Sequence, residues 1–133
     1  MKLSRTVAYA VRATLQLAQY SQGTPVPCSK LASDGHMPER FLLQILRNLV
    51  THGILRSTRG VEGGYALTRP PEQISLLEVI EAIEGPIGTN GNGADDFNND
   101  PQTKLLDALK SITDTSRKQL DAIKFSQLLE PPT

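Results

Sequence analysis

Residues 28–68 read CSKLASDGHMPERFLLQILRNLVTHGILRSTRGVEGGYALT. A short helix is expected over 28–33, with Leu31 and Ala32 on its apolar side. Asp34, Gly35, His36 and Met37 then form a tight connection, in which Gly35 is expected to take a positive φ. Pro38 suits the first position of a new helix. Phe41, Leu42, Ile45, Leu46 and Leu49 give that helix an apolar face as far as His52. Two helices joined by a short glycine-containing turn make a helix-turn-helix. Gly53 ends the second helix, 54–58 reads as a strand, 59–64 as a loop and 65–68 as an alternating second strand. A glycine-rich hairpin directly behind a helix-turn-helix is a wing.

The flanks agree with this reading. From Ser4, a candidate N-cap, to about Tyr20, the residues Val7, Ala10, Val11, Thr14, Leu15, Leu17 and Ala18 recur at helical spacing. The segment 21–27, SQGTPVP, reads as punctuation. Ser75 is placed to cap a helix carrying Leu76, Val79, Ile80 and Ile83, with Glu78 where a capping box wants an acid, and Gly85 ends it. The stretch GPIGTNGNGADDFNNDP at 85–101 reads as a flexible loop. Beyond it Leu105, Leu109, Ile112, Ser116, Leu120 and Ile123 form an apolar seam at steps of four and three, which needs a partner surface, and 125–129 suits a last helical turn. The expected fold is mainly α with a small β-hairpin: a winged helix-turn-helix over 1–84, a flexible loop over 85–100, and a dimerisation helix with C-terminal tail over 101–133.

Composition narrows the function classes. At 133 residues, with 38% hydrophobic and 21% charged content, the chain has the size of one ordinary domain. Its single cysteine, Cys28, excludes an intramolecular disulfide and fits a reducing, cytoplasmic setting. No run approaches the ~20 apolar residues of a membrane span, and neither signal peptide nor anchor is expected. Net charge is zero, but unevenly spread: residues 1–69 hold nine Lys/Arg against three acids, and residues 70–133 hold five against eleven. A basic half of this kind points to a polyanion partner.

The basic residues fall where a winged helix-turn-helix meets double-stranded DNA. A recognition helix enters the major groove by its N-terminal end, which here offers Pro38, Glu39, Arg40 and, one turn on, Gln44. Arg40 suits guanine, Gln44 adenine, and Glu39 the cytosine amino group. Arg47 lies on the same side and is a phosphate candidate, as are Lys2, Arg5 and Arg56. Arg59 at the wing tip, followed by Gly60, is placed to enter a narrow minor groove. No set of nucleophile, base and orienting group is visible, so an enzyme is not expected. Cys28, His36 and His52 lack metal-ligand spacing. Cys28, at a helix start, could have a lowered pKa and act as a redox sensor, or be a packing residue.

Several stretches resemble the Rrf2 family of bacterial winged-helix transcription regulators. MKLSRTVAYAVRATLQLA resembles the family's opening helix, FLLQILRNLVTHGILRSTRG its recognition helix and first wing strand, and GGYALTRPPEQISLLEVIEAIEGP its wing, second strand and following helix. The resemblance implies a homodimer whose long helix near 101–122 pairs across a two-fold axis while the N-terminal half binds DNA. One departure matters. Cluster-bearing members carry three cysteines just after the EGP motif, where this chain has GTNGNGADDFNND. Iron–sulfur clusters are built on thiolates, so no cluster and no other metal or cofactor is expected. The function expected is a sequence-specific regulator, a repressor in the first instance, acting on a palindromic operator as a homodimer, with a small ligand, a partner protein or Cys28 oxidation as its trigger. The alternative is a winged-helix protein-interaction module that no longer binds DNA.

Overall fold

The computed structural model describes residues 3–86 and 100–129; Lys2 and most of the expected flexible loop lie outside them. Helix α1 spans Arg5–Ala18, α2 Cys28–Gly35 and α3 Glu39–Thr51; strands β1 (Leu55–Thr58) and β2 (Gly64–Leu67) follow. A 3₁₀ turn, Pro71–Gln73, leads into α4 (Leu76–Glu84), and the chain continues with α5 (Asp100–Ala122) and α6 (Phe125–Leu129). This is the expected mainly helical fold with a two-stranded hairpin.

Helix α1 is the central element. Ser4 caps it, its hydroxyl accepting from the Val7 amide at 3.1 Å, a contact of the kind worth ~1 kcal/mol. Its inner face is Val7, Ala10, Ala13, Thr14 and Leu17. Thr14 is buried at no polar cost because its hydroxyl donates to the Ala10 carbonyl at 2.8 Å. Around α1 lie Leu31 of α2, Leu42, Ile45, Leu46 and Leu49 of α3, and Val79 of α4, all in one core. A smaller cluster, Val7, Leu77, Ile80 and Leu120, joins α5 to α4 and α1. There Arg117 also pairs with Glu81.

Several local expectations are corrected. Gly35 is the last residue of α2, and His36 takes the left-handed conformation instead, at φ 55°. Polar residues such as histidine tolerate that region better than bulky ones. Pro38 is the N-cap of α3 and not its first turn. Phe41 leaves the core and is 41% exposed. The segment read as punctuation supplies an isolated β-bridge to the wing: the Val26 amide donates to the Tyr65 carbonyl and the Tyr65 amide to the Val26 carbonyl, both at 2.9 Å. Gly64 makes that approach possible, since a Cβ there would stand 2.3 Å from the Val26 carbonyl carbon.

The C-terminal end folds back on the winged helix. The Leu76 amide donates to the Ile123 carbonyl at 2.8 Å and the Phe125 amide to the Ile74 carbonyl at 3.0 Å. Phe125 is fully buried in the main core. Ser75 caps α4, accepting from the Glu78 amide at 3.2 Å. The Glu78 carboxylate, however, takes the Arg69 guanidinium at 2.8 and 3.2 Å, so its capping-box role is replaced by an ion pair.

Candidate nucleic-acid interface

The recognition surface begins with the way α3 is held. Its apolar stripe of Leu42, Ile45, Leu46 and Leu49 is buried against α1 and α2. At ~100° per residue, Arg40, Gln44 and Arg47 then share the opposite side. All three are exposed, as are Pro38 and Glu39 at the helix start. The turn before them is fixed by the Met37 amide, which donates to the Ala32 carbonyl at 2.9 Å, and by the buried Met37 side chain. Donors of Arg40, Gln44 and Arg47 thus face solvent along one side of α3, the first two from its N-terminal half, the part that base-edge readout uses.

The wing supplies a second group. Its register pairs Leu55 with Leu67, Arg56 with Ala66, Ser57 with Tyr65 and Thr58 with Gly64. The tip is closed by the Gly63 amide donating to the Gly60 carbonyl at 3.0 Å. Arg59 and Gly60 are exposed on it, and Val61 is wholly in solvent. Arg56 sits lower on β1, its guanidinium lying over the backbone of Gly23. Arg5 is exposed at the start of α1. The structure therefore groups Arg40, Gln44 and Arg47 on one helix face and Arg59 with Gly60 at the hairpin tip, and leaves Arg5 and Arg56 at separate positions.

Two contributors were not singled out from the sequence. Arg12 on α1 donates from Nη1 to the Gly35 carbonyl at 2.8 Å and lies over the Tyr9 ring, 5.6 Å from its centroid. Tyr9 in turn meets Phe41 of α3 edge to face, with centroids 5.7 Å apart. A cation and two rings thereby tie α1 to both the turn and the recognition helix. A pairing across 23 residues leaves no local periodic signal.

Cys28 behaves unlike a reactive thiol. It is half-buried and contacts the Glu39 carbonyl at 3.7 Å. Burial pushes its pKa up, and the Glu39 charge pushes it further the same way. The lowering expected from the α2 N-terminus is overridden. Among the described residues no group of three or more His, Cys, Asp and Glu is placed to hold a metal ion, and His52 has its Nδ1 against the Asn48 carbonyl at 2.8 Å. Behind the helix-turn-helix, a cleft between His52 and Ile54 on one side and Arg69, Glu78, Glu81 and Ala82 on the other has its charges paired internally.

On the long helix, Leu105, Leu109 and Ile112 are each at least half exposed and Ser116 is partly so. Leu120 is buried within the chain, and Ile123 lies past the end of α5. The seam thus divides into an outward part and a part that holds α5 in place. Among the described residues no helix is long and apolar enough to cross a membrane.

Comparison with known proteins gives the same picture. The chain is 39% identical over 123 residues to the HTH-type transcriptional regulator Rv1287 of Mycobacterium tuberculosis, spanning 91% of this chain and 76% of that one. It is 31% identical over 87 residues to the HTH-type transcriptional regulator CymR of Bacillus subtilis, covering 65% of this chain and 63% of CymR. The solved structure of CymR, described as the global cysteine regulator of B. subtilis, superposes with a TM-score of 0.76 at 25% identity over 97% of this chain and 96% of that one. IscR of T. potens superposes at 0.73 with 27% identity, over 97% and 86% of the two chains. The family model described as Rrf2, iron-dependent transcriptional regulator, matches residues 3–131, and with fold, helix-turn-helix and wing in agreement the chain belongs to the Rrf2 family of transcriptional regulators.

Proposed function

We propose that this regulator binds a palindromic DNA operator as a homodimer in the cytoplasm and represses transcription there. The observation that carries the reading is the exposed row Arg40, Gln44 and Arg47 on a helix whose other side is locked in the core. Arg59 on the wing adds a cation suited to a narrow minor groove. The half-exposed Leu105, Leu109 and Ile112 supply an apolar strip that a second copy would cover. Two recognition helices related by a two-fold axis call for half-sites ~10 base pairs, or a multiple, apart.

The residues present do not fit an iron–sulfur cluster. The chain has one cysteine, and cluster iron requires several thiolates. The proposed signal is accordingly not a cluster but a small ligand or a partner protein, with Cys28 oxidation disfavoured by the partial burial of its thiol. Absorbance between about 300 and 500 nm after anaerobic purification tests this, and a chromophore with stoichiometric iron would overturn it.

Selection of bound fragments from random and genomic duplexes is the deciding experiment. Enriched palindromes are expected. For a dimer making ~6–10 phosphate contacts, affinity should fall by ~10³ or more between about 50 and 200 mM salt. No preference for any duplex over competitor, even at low salt, would overturn the reading and leave a protein-interaction module.

A further inference from the structure

We infer that Phe41 is a specificity-determining residue that reads the C5-methyl group of a thymine, beside the adenine contact of Gln44. This rests on the DNA-binding reading above. Phe41 lies in the first turn of α3, ~90° around the helix from the middle of its buried stripe, and 41% of it is exposed. An aromatic side chain left this open gives up part of its burial, yet it is not loose. Tyr9 holds it edge to face at 5.7 Å and an interplanar angle of 79°, and Tyr9 is itself held under Arg12, which is bonded to the Gly35 carbonyl.

The result is a held apolar ring at the edge of the exposed polar row, adjacent in sequence to Arg40 and one turn before Gln44. In the major groove the thymine methyl is the apolar group that base edges present. Positions three apart on a helix stand ~5–6 Å from each other. A glutamine spanning adenine N6 and N7 therefore brings the position three residues earlier alongside the methyl of the paired or neighbouring thymine. Phe41 is that position, and its polar neighbours cannot supply the contact.

The test uses the full-length protein and an operator obtained by selection, synthesised with deoxyuridine in place of thymidine at single positions. Uracil keeps every hydrogen-bonding group and lacks only the methyl. At one symmetric pair of positions the wild type should lose about fourfold in affinity per half-site. Phe41→Ala should bind thymine and uracil duplexes equally, while Phe41→Leu, which keeps an apolar tip, should retain the discrimination. Thermal melts of both variants separate loss of folding from loss of contact, and should Phe41→Ala fail to fold, the uracil scan of the wild type and Phe41→Leu decides. Wild-type binding that is indifferent to uracil at every position, or Phe41→Ala discriminating as the wild type does, would overturn this inference alone. Absence of binding to any selected duplex would overturn it together with the DNA reading.

Discussion

Arg12 donates from Nη1 to the backbone carbonyl of Gly35 at 2.8 Å, joining the first helix to the turn that aims the recognition helix. Because Arg12 is exposed, the bond itself is worth only about 1 kcal/mol of stability. Its larger effect is on aim. Arg12→Ala should reduce operator affinity several-fold across sequences while leaving the slope of affinity against salt unchanged. A slope smaller by about 1 would instead mean that Arg12 touches phosphate.

Gly64 and Gly35 should respond oppositely to a methyl group. At Gly64 the φ of +153° is disfavoured for other residues, and a Cβ would strike the Val26 backbone. Gly64→Ala is expected to cost about 2–3 kcal/mol and to break the bridge between Val26 and Tyr65. At Gly35 the backbone is helical and the nearest atoms are the ends of two flexible side chains, the Met37 methyl at 2.6 Å and the Gln16 amide at 3.1 and 3.2 Å, so that a small shift of each makes room. Gly35→Ala should change stability by less than about 1 kcal/mol. Urea unfolding of the two variants gives both numbers.

These two glycines also show what the sequence makes legible. Most signals confined to a few neighbouring residues read correctly, Ser4 and Ser75 as caps, the stripe Leu42 to Leu49 and the wing between two short strands, although the positive φ fell on His36 and not Gly35. What depends on distant partners does not. Val26 forms a bridge only because Tyr65 lies beside it, Phe125 becomes core only because the chain returns past Ile74, and Phe41, at the edge of its helix's apolar stripe, meets Tyr9 edge to face in place of the core. The seam is the same case: spacing put six residues on one line, and tertiary packing claimed Leu120. At the candidate interface the exposure of Arg40, Gln44, Arg47 and Arg59 was legible, because it follows from helical spacing and from the position of the hairpin tip. The Arg12 and Tyr9 support behind them was not.

Base-reading and phosphate-binding residues should separate in binding assays. Arg40→Ala is expected to cost about 1–3 kcal/mol and to relax preference at one position of each half-site. Arg47→Ala should weaken all duplexes nearly equally and reduce the salt slope by about 1 per subunit. Arg59→Ala should abolish preference for sites with a narrow minor groove under the wing. Competition titrations at several salt concentrations distinguish the three.

Cys28 should react slowly. Its raised pKa means that the folded state favours the thiol over the thiolate. Alkylation of the native protein should therefore lag behind that of the urea-unfolded chain at the same pH, with its pH profile displaced upward. The sign for stability follows. The folded pKa lies above the unfolded one, so the contribution is fully present below the unfolded pKa and is lost as pH rises through the folded value. Cys28→Ser should flatten that alkaline decline. Faster labelling in the native state would contradict the assigned environment.

The long helix offers a last separation, between association and folding. Leu109 is half exposed on its outward side, whereas Leu120 is buried against Val7, Leu77 and Ile80. Leu109→Glu places a charge in the strip that a second copy would cover and should yield a folded monomer by sedimentation, with unchanged far-ultraviolet dichroism. Operator binding should weaken steeply with it, since each half-site would then be held alone. Leu120→Ala should instead cost about 2–3 kcal/mol in unfolding, from the cavity left between α5, α4 and α1. Its effect on association should be secondary to that loss. If Leu109→Glu remains dimeric at micromolar concentration, the outward half of the seam is not the contact between copies.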